Sequence, residues 1–185
     1  GPLPLRLPAT PQQVLGPYFL ANAPLRSRLH PASAVGSSIR ISGQVLSEDM
    51  KALVGATIHV GLADPKGVYD NQDADGNPLN VPLSQQLYRG RLTTNKKGGY
   101  SFTFLRPGNY FDEGAQLWRP AHIHIIVEAA GYKRLVTQLY FQDDPHNTDD
   151  IAGDDFFQPE LVVQVSPAVA APGVTQSGVF NFVLK

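Results

Sequence analysis

The sequence predicts an all-β fold: a single-domain β-sandwich of short strands, with long loops and an extended N-terminal arm. Three observations predict it. From Ser38 onward, apolar residues alternate at a period of two in one stretch after another. Glycine (17) and proline (16) are plentiful, which favours short strands joined by turns over long helices. The length of 185 residues suits one domain with a buried core.

Residues 1–37 are proline-rich and hold no sustained period. The stretch "LPATPQQVLGPYFLANAPLRSRL" reads as an extended arm laid over a core, ahead of a sandwich domain over 38–185. "SIRISGQVL" alternates Ile39, Ile41 and, after a glycine, Val45. "ATIHVGLA" alternates Ile58, Val60 and Leu62, and "YSFTFL" alternates Tyr100, Phe102 and Phe104. "HIHIIV" places Ile123, Ile125 and Val127 on one face; "RLVTQLYF", "LVVQV" and "VFNFVL" complete the set. "TNKKGGY" and "AAGYKR" read as hairpin turns between neighbouring strands. Two long loops interrupt the pattern, at about 64–87 and at 143–159. The second holds six aspartates and reads as a solvated surface loop, with calcium binding as the alternative.

Composition excludes several classes of function. A formal net charge of −1 gives no strong field for nucleic acid or an anionic membrane, so neither partner is expected. No apolar run approaches the ~20 residues that cross a bilayer. The absence of cysteine excludes disulfides, zinc thiolates, iron–sulfur clusters and thiol nucleophiles. A cytoplasmic setting is expected. Gly1-Pro2 reads as a tag-cleavage scar, which leaves a removed export segment open.

The chemistry-bearing stretch is "WRPAHIHIIVEAAGY". In a strand, residues i and i+2 point the same way, so His122 and His124 share the face opposite Ile123, Ile125 and Val127. Two such imidazoles are close enough to bind one metal ion, but further ligands must come from elsewhere. His59, His30 and His146 read as structural. Glu128 resembles the glutamate of a cupin motif, although the glycines that flank that motif are missing. Tyrosine is the other donor. Tyr69 ends "ADPKGVY" and Tyr110 ends "RPGNY", each after a Gly-x pair whose turn can aim a phenol into a cleft. A phenol has a pKa of about 10 and becomes a good ligand when a strong Lewis acid replaces its proton. Two phenolates with a hydroxide neutralise a trivalent cation, and such hard oxygen donors suit Fe(III) better than Fe(II) or zinc.

With these residues in place, the chain resembles the intradiol ring-cleavage dioxygenases, of the protocatechuate 3,4-dioxygenase and catechol 1,2-dioxygenase type. The matching pieces, in order, are "PQQVLGPYF", "ATIHVGLADPKGVYD", "LTTNKKGGYSFTFLRPGNY" and "LWRPAHIHIIV" followed by "LVTQLYFQDDP". The resemblance implies one Fe(III) per chain, held by Tyr69, Tyr110, His122 and His124. It makes the long loops active-site loops and gives catalytic roles to Arg119, Tyr110 and Gln138. Tyr110 would accept a proton from the diol, Arg119 would supply positive charge to the ring, and Gln138 would orient oxygens. The implied substrates are a catechol-type diol and O2, with cleavage between the hydroxylated carbons to a cis,cis-muconate-type product. A homo-oligomer is left open. The alternative is a non-catalytic transthyretin-like β-sandwich subunit or binding module. One position departs from the family. A tryptophan usually stands eight residues before the first tyrosine ligand, and here that position is Gly61. Gly61 is therefore expected to line the substrate pocket beside Arg119 and Gln138. Either this widens the pocket for bulkier catechols or a neighbouring side chain fills the space.

Overall fold

The computed structural model describes residues 5–16, 19–34, 38–148, 157–168 and 173–185. Its strands are β1 (Arg28–Leu29), β2 (Ser38–Ser47), β3 (Thr57–Leu62), β4 (Arg89–Thr93), β5 (Gly99–Phe104), β6 (Tyr110–Asp112), β7 (Leu117–Arg119), β8 (His122–Glu128), β9 (Leu135–Phe141), β10 (Val162–Val163), β11 (Ser166–Pro167), β12 (Val174–Val179) and β13 (Phe182–Leu184). The only helical pieces among the described residues are short 3₁₀ turns, and none is long and apolar enough to cross a membrane. The fold is all-β, as the alternation predicts.

One sheet runs in the order β1-β5-β2-β12-β11, with β13 also paired to β2; the other runs β10-β9-β8-β3-β4. Their inner faces share one core, with Ile41, Phe102 and Phe104 from the first sheet and Ile58, Ile123 and Leu139 from the second. The period-two residues therefore face inward, which fixes the register, because a slip of one residue would turn every apolar side chain outward. β6 and β7 form a separate two-stranded hairpin.

Three details depart from the sequence expectation. "VFNFVL" is not one strand: β12 ends at Val179 and β13 begins at Phe182. The Phe180 carbonyl presses against β2 at Gly43, where any Cβ would collide with it, and Asn181 Oδ1 takes the Gln44 N–H at 2.9 Å. "TNKKGGY" does turn tightly, but β4 pairs with β3 while β5 pairs with β2, so the turn passes between sheets. "LVVQV" contributes only the two residues of β10. "AAGYKR" joins β8 to β9 as the expected hairpin, with Gly131 at φ +85.

Residues 5–16 carry no regular structure and lie along the sandwich. Their backbone bonds run to distant parts of the chain: Leu7 N to Glu48 O (2.8 Å), Thr10 N to Val183 O (3.0 Å) and Gln13 N to Val136 O (2.7 Å).

Candidate metal centre and substrate cavity

Pairing across the second sheet sets the site. Arg89, Gly61, His124 and Gln138 stand opposite one another on β4, β3, β8 and β9, and His122 stands opposite Tyr140. Both histidines are buried on the outer face of the sheet, away from the shared core. His122 Nδ1 lies 2.8 Å from the Pro120 carbonyl, which can only accept; Nδ1 therefore carries the proton and the Nε2 lone pair faces outward.

Two loops bring the phenols to those lone pairs. Tyr69 Oη lies 2.9 Å from His124 Nε2 and 3.3 Å from His122 Nε2, and Tyr110 Oη lies 3.3 Å from His122 Nε2. The phenol rings meet edge to face with centroids 5.7 Å apart. Each tyrosine follows a glycine by two residues, and these glycines touch. A Cβ on Gly108 would stand 2.5 Å from Pro65 O and 2.6 Å from Gly67 N, and one on Gly67 would collide with Asn109 O. Gly67 also sits at φ +82, a conformation that suits glycine. Asp64 ties both loops. Its carbonyl accepts the N–H of Gly67 and of Gly108 (2.9 Å each), and its carboxylate accepts those of Lys66 and Val68 (2.8 and 3.0 Å).

Burial and then the Tyr110 phenol hold Tyr69 well above the ordinary phenol range, while Arg119 and Arg89 pull the other way. Burial, Arg119 and His124 hold His122 well below the imidazole range; burial, Arg119 and Arg89 push His124 down to about 3. Both rings are thus neutral, the form that donates a lone pair to a metal. Donors each about 2 Å from one ion stand roughly 2.8–3.3 Å apart, and the observed separations fall in that range. Among the described residues no three His, Cys, Asp or Glu side chains cluster, so a metal here would draw on the phenols. Two neutral imidazoles and two phenols fit a hard trivalent cation able to take the place of the phenol protons.

Beside the donors opens a cavity of about 290 Å³. Tyr110, Asp112, Arg119, His124 and Gln138 line it, with Val14 and Gly16 of the N-terminal segment as its far wall. Arg119 is buried and donates from Nη2 to Gln138 Oε1 at 3.0 Å. Gln138 Oε1 also accepts from Tyr140 Oη (3.0 Å), while Gln138 Nε2 donates to Val14 O (2.8 Å). Tyr140 Oη lies 2.8 Å from Gln13 Oε1. Gly16, at φ +74, lies so close that a Cβ would sit 3.4 Å from His124 Cε1. Tyr140 and Gln13 were not anticipated. Tyr140 shares strand parity with Gln138, a usable signal, whereas nothing local marks Gln13.

Other sequence candidates lie apart from this cluster. Gly61 stands in the same cross-strand row as His124 but is not among the residues lining the cavity; its Cβ position is met by Arg89 Nη1 at 3.4 Å and Phe19 Cδ2 at 3.8 Å. Arg89 is buried, with Nε on Asp70 Oδ1 (3.0 Å) and Gln86 Oε1 (2.9 Å). His59 lies 3.6 Å from Glu128, which also pairs with Arg134 at 3.1 Å. His30 bonds the Pro31 carbonyl, and His146 stacks on Trp118. In the aspartate-rich loop, Asp143 is exposed and paired with Arg106 at 2.8 Å. Asp144 departs from the solvated expectation: it is buried and accepts from Asn109 Nδ2 (3.0 Å), Ala121 N (2.9 Å) and His146 N (2.9 Å). The other four aspartates of that loop lie outside the described residues.

Comparison with known proteins agrees with the fold and with the family resemblance. The family described as Dioxygenase (Dioxygenase_C) matches residues 14–185. The chain is 32% identical to catechol 1,2-dioxygenase 2 of Acinetobacter lwoffii, over 77% of this chain and 55% of that protein. It is 30% identical to the chlorocatechol 1,2-dioxygenase of Rhodococcus opacus, over 95% of this chain and 72% of that one. It spans about half the length of most of the curated relatives it matches. Among solved structures, the dioxygenase domain of a dioxygenase–carbohydrate-binding fusion from Streptomyces sp. SirexAA-E superposes with a TM-score of 0.74 and 33% identity, covering 96% of this chain and 98% of that one. The 3-chlorocatechol 1,2-dioxygenase of Rhodococcus opacus 1CP does so at 0.80 and 26%, covering 95% and 72%. By its sequence and its sandwich, the chain belongs to the intradiol ring-cleavage dioxygenase family.

Proposed function

We propose that this chain is a non-haem Fe(III) dioxygenase. It opens the ring of a catechol-type ortho-diphenol between the two hydroxylated carbons, incorporates both atoms of O2 and yields a cis,cis-muconate-type diacid. The observation that carries this reading is the meeting of Tyr69, Tyr110, His122 and His124 beside a cavity walled by Arg119 and Gln138. Relatives named for catechol, chlorocatechol and hydroxyquinol support it. The family is iron dependent, and here the four donors would hold one ferric ion per chain. When bound, such an ion would supply Lewis acidity to the diol and make its ring reactive toward dioxygen.

The chain's own groups do the rest. Tyr110 is half-buried and borders the cavity, so its phenolate oxygen is the base placed to take a proton from an incoming diol. The Arg119 guanidinium is fixed by Gln138, which sets positive charge where negative charge develops on the ring. Gln138 has both ends of its amide engaged, so it acts by holding Arg119 against the N-terminal wall. Val14 and Gly16 form one side of the cavity, and residues 5–16 of the arm are bonded to the sandwich, so arm and sandwich work as one unit. A non-catalytic subunit would have no use for the four donors.

Metal analysis and oxygen uptake test the reading. About one iron per chain is expected, with a visible phenolate-to-iron band and O2 consumption with at least one of catechol, protocatechuate, hydroxyquinol or an aryl catechol. Stoichiometric zinc with negligible iron, or a colourless iron-free protein, sinks it.

A further inference from the structure

The register of the β6–β7 hairpin places a carboxylate inside the cavity. Tyr110 pairs with Arg119, and Asp112 pairs with Leu117. Residues two apart on a strand share a face, so Asp112 lies on the Tyr110 face, roughly 7 Å further from the donors. Phe111, between them, packs on Trp118 with centroids 5.8 Å apart and also borders the cavity. Asp112 is half-buried and lines the cavity, and Glu113 follows it at the exposed rim. Asp112 Oδ1 accepts the Ala115 N–H at 3.0 Å, which fixes the carboxylate in place. Charge along the cavity is therefore graded: the Arg119 guanidinium at the donor end, two carboxylates at the mouth, and apolar Val14 opposite.

We infer that Asp112, with Glu113 as the weaker partner, selects the ring substituent of the diol, admitting neutral or cationic catechols and rejecting those that carry a carboxylate. This rests on the dioxygenase reading above. A diol bound at the donors directs the far edge of its ring toward the hairpin. An ammonium group there gains attraction from Asp112, and a carboxylate meets repulsion in a half-buried site where the dielectric is lower than in water. Reversing the charge of a substituent beside a half-buried carboxylate shifts relative binding by on the order of tenfold or more.

The test compares catechol, an aminoethyl-catechol and a carboxy-catechol on the iron-loaded protein, with plain catechol as the internal reference. The amine-to-carboxylate ratio of kcat/KM is expected to exceed one by on the order of tenfold and to shrink as salt rises. Asp112→Asn keeps an acceptor for Ala115 N–H, so the hairpin is retained; the ratio should fall several-fold, and Glu113→Gln should lower it less. An Asp112→Asn ratio equal to the parent's, or a parent preference for the carboxylate, overturns the inference. Anaerobic dissociation constants of the same three ligands, by calorimetry, separate the two readings. Absence of turnover with every diol would sink the dioxygenase assignment, while a charge preference in binding would still support Asp112 and its absence would overturn it.

Discussion

Tyr69 and Tyr110 offer the same phenol in different surroundings. Tyr69 is 1% exposed with its oxygen between both imidazoles, whereas Tyr110 is half-buried on the cavity wall. Tyr110→Phe should therefore slow deprotonation of a bound diol, while Tyr69→Phe mainly alters the resting visible band. Stopped-flow binding checks this, and two variants as fast as the parent would remove the proton role. Arg119→Leu should retain iron and lose turnover by on the order of a hundredfold or more, since leucine fills space without charge; near-normal turnover with full iron would return Arg119 to a structural role. At Gly61 an indole would have to displace Arg89 from Asp70 and Gln86. Breaking that buried pair should cost about 3–5 kcal/mol, so Gly61→Trp should lower the melting temperature, and Arg89→Leu added to it should recover part of the loss. The candidate donors were legible because each is marked locally, by His-x-His parity or by Gly-x-Tyr. Arg89 and Gln13 were not, because what defines them is a partner brought near by folding, and Tyr140 offered only its strand parity with Gln138. Gln13 and its partner Tyr140 are 127 positions apart.

The two tyrosine loops behave as one element. Gly108→Ala would push a methyl carbon to 2.5 Å from the Pro65 carbonyl, and the atoms it meets are backbone, so one loop must shift against the other. Destabilisation of about 1–3 kcal/mol is expected from such overpacking, together with a shifted visible band, because Tyr110 moves relative to Tyr69. Loss of stability with an unchanged band would show that the loops do not set the phenol spacing. The long alternating strands β2, β3, β5, β8 and β9 were legible because each has a buried face several residues long. β4 hid from the same logic: its inward positions are Gly90 and Leu92, and Arg89 and Arg91 dominate its composition. β6 and β7 are three residues each, too short for a period to register. The break between β12 and β13 depends on Gly43 in another strand.

At the scale of the whole molecule, β2 is the organising strand. It pairs antiparallel with β5 and parallel with both β12 and β13. Parallel partners must be joined by a crossover, and here the connection runs from Ser47 at the end of β2 to Val174 at the start of β12. Such non-local pairing folds slowly, on the order of milliseconds to seconds. All four candidate donors lie within residues 69–124, on or beside the second sheet, yet the first sheet, packed behind it across the core, lacks β12 and β13 until residues 174–184 have been made. On the ribosome, the donors of a growing chain emerge well before the strands that complete its core. Iron capture is therefore expected to follow emergence of β12 and β13. A chain ending at Val165 should bind little iron even when supplied with excess, measured beside the full chain after refolding; equal loading would place metal capture before completion of the core.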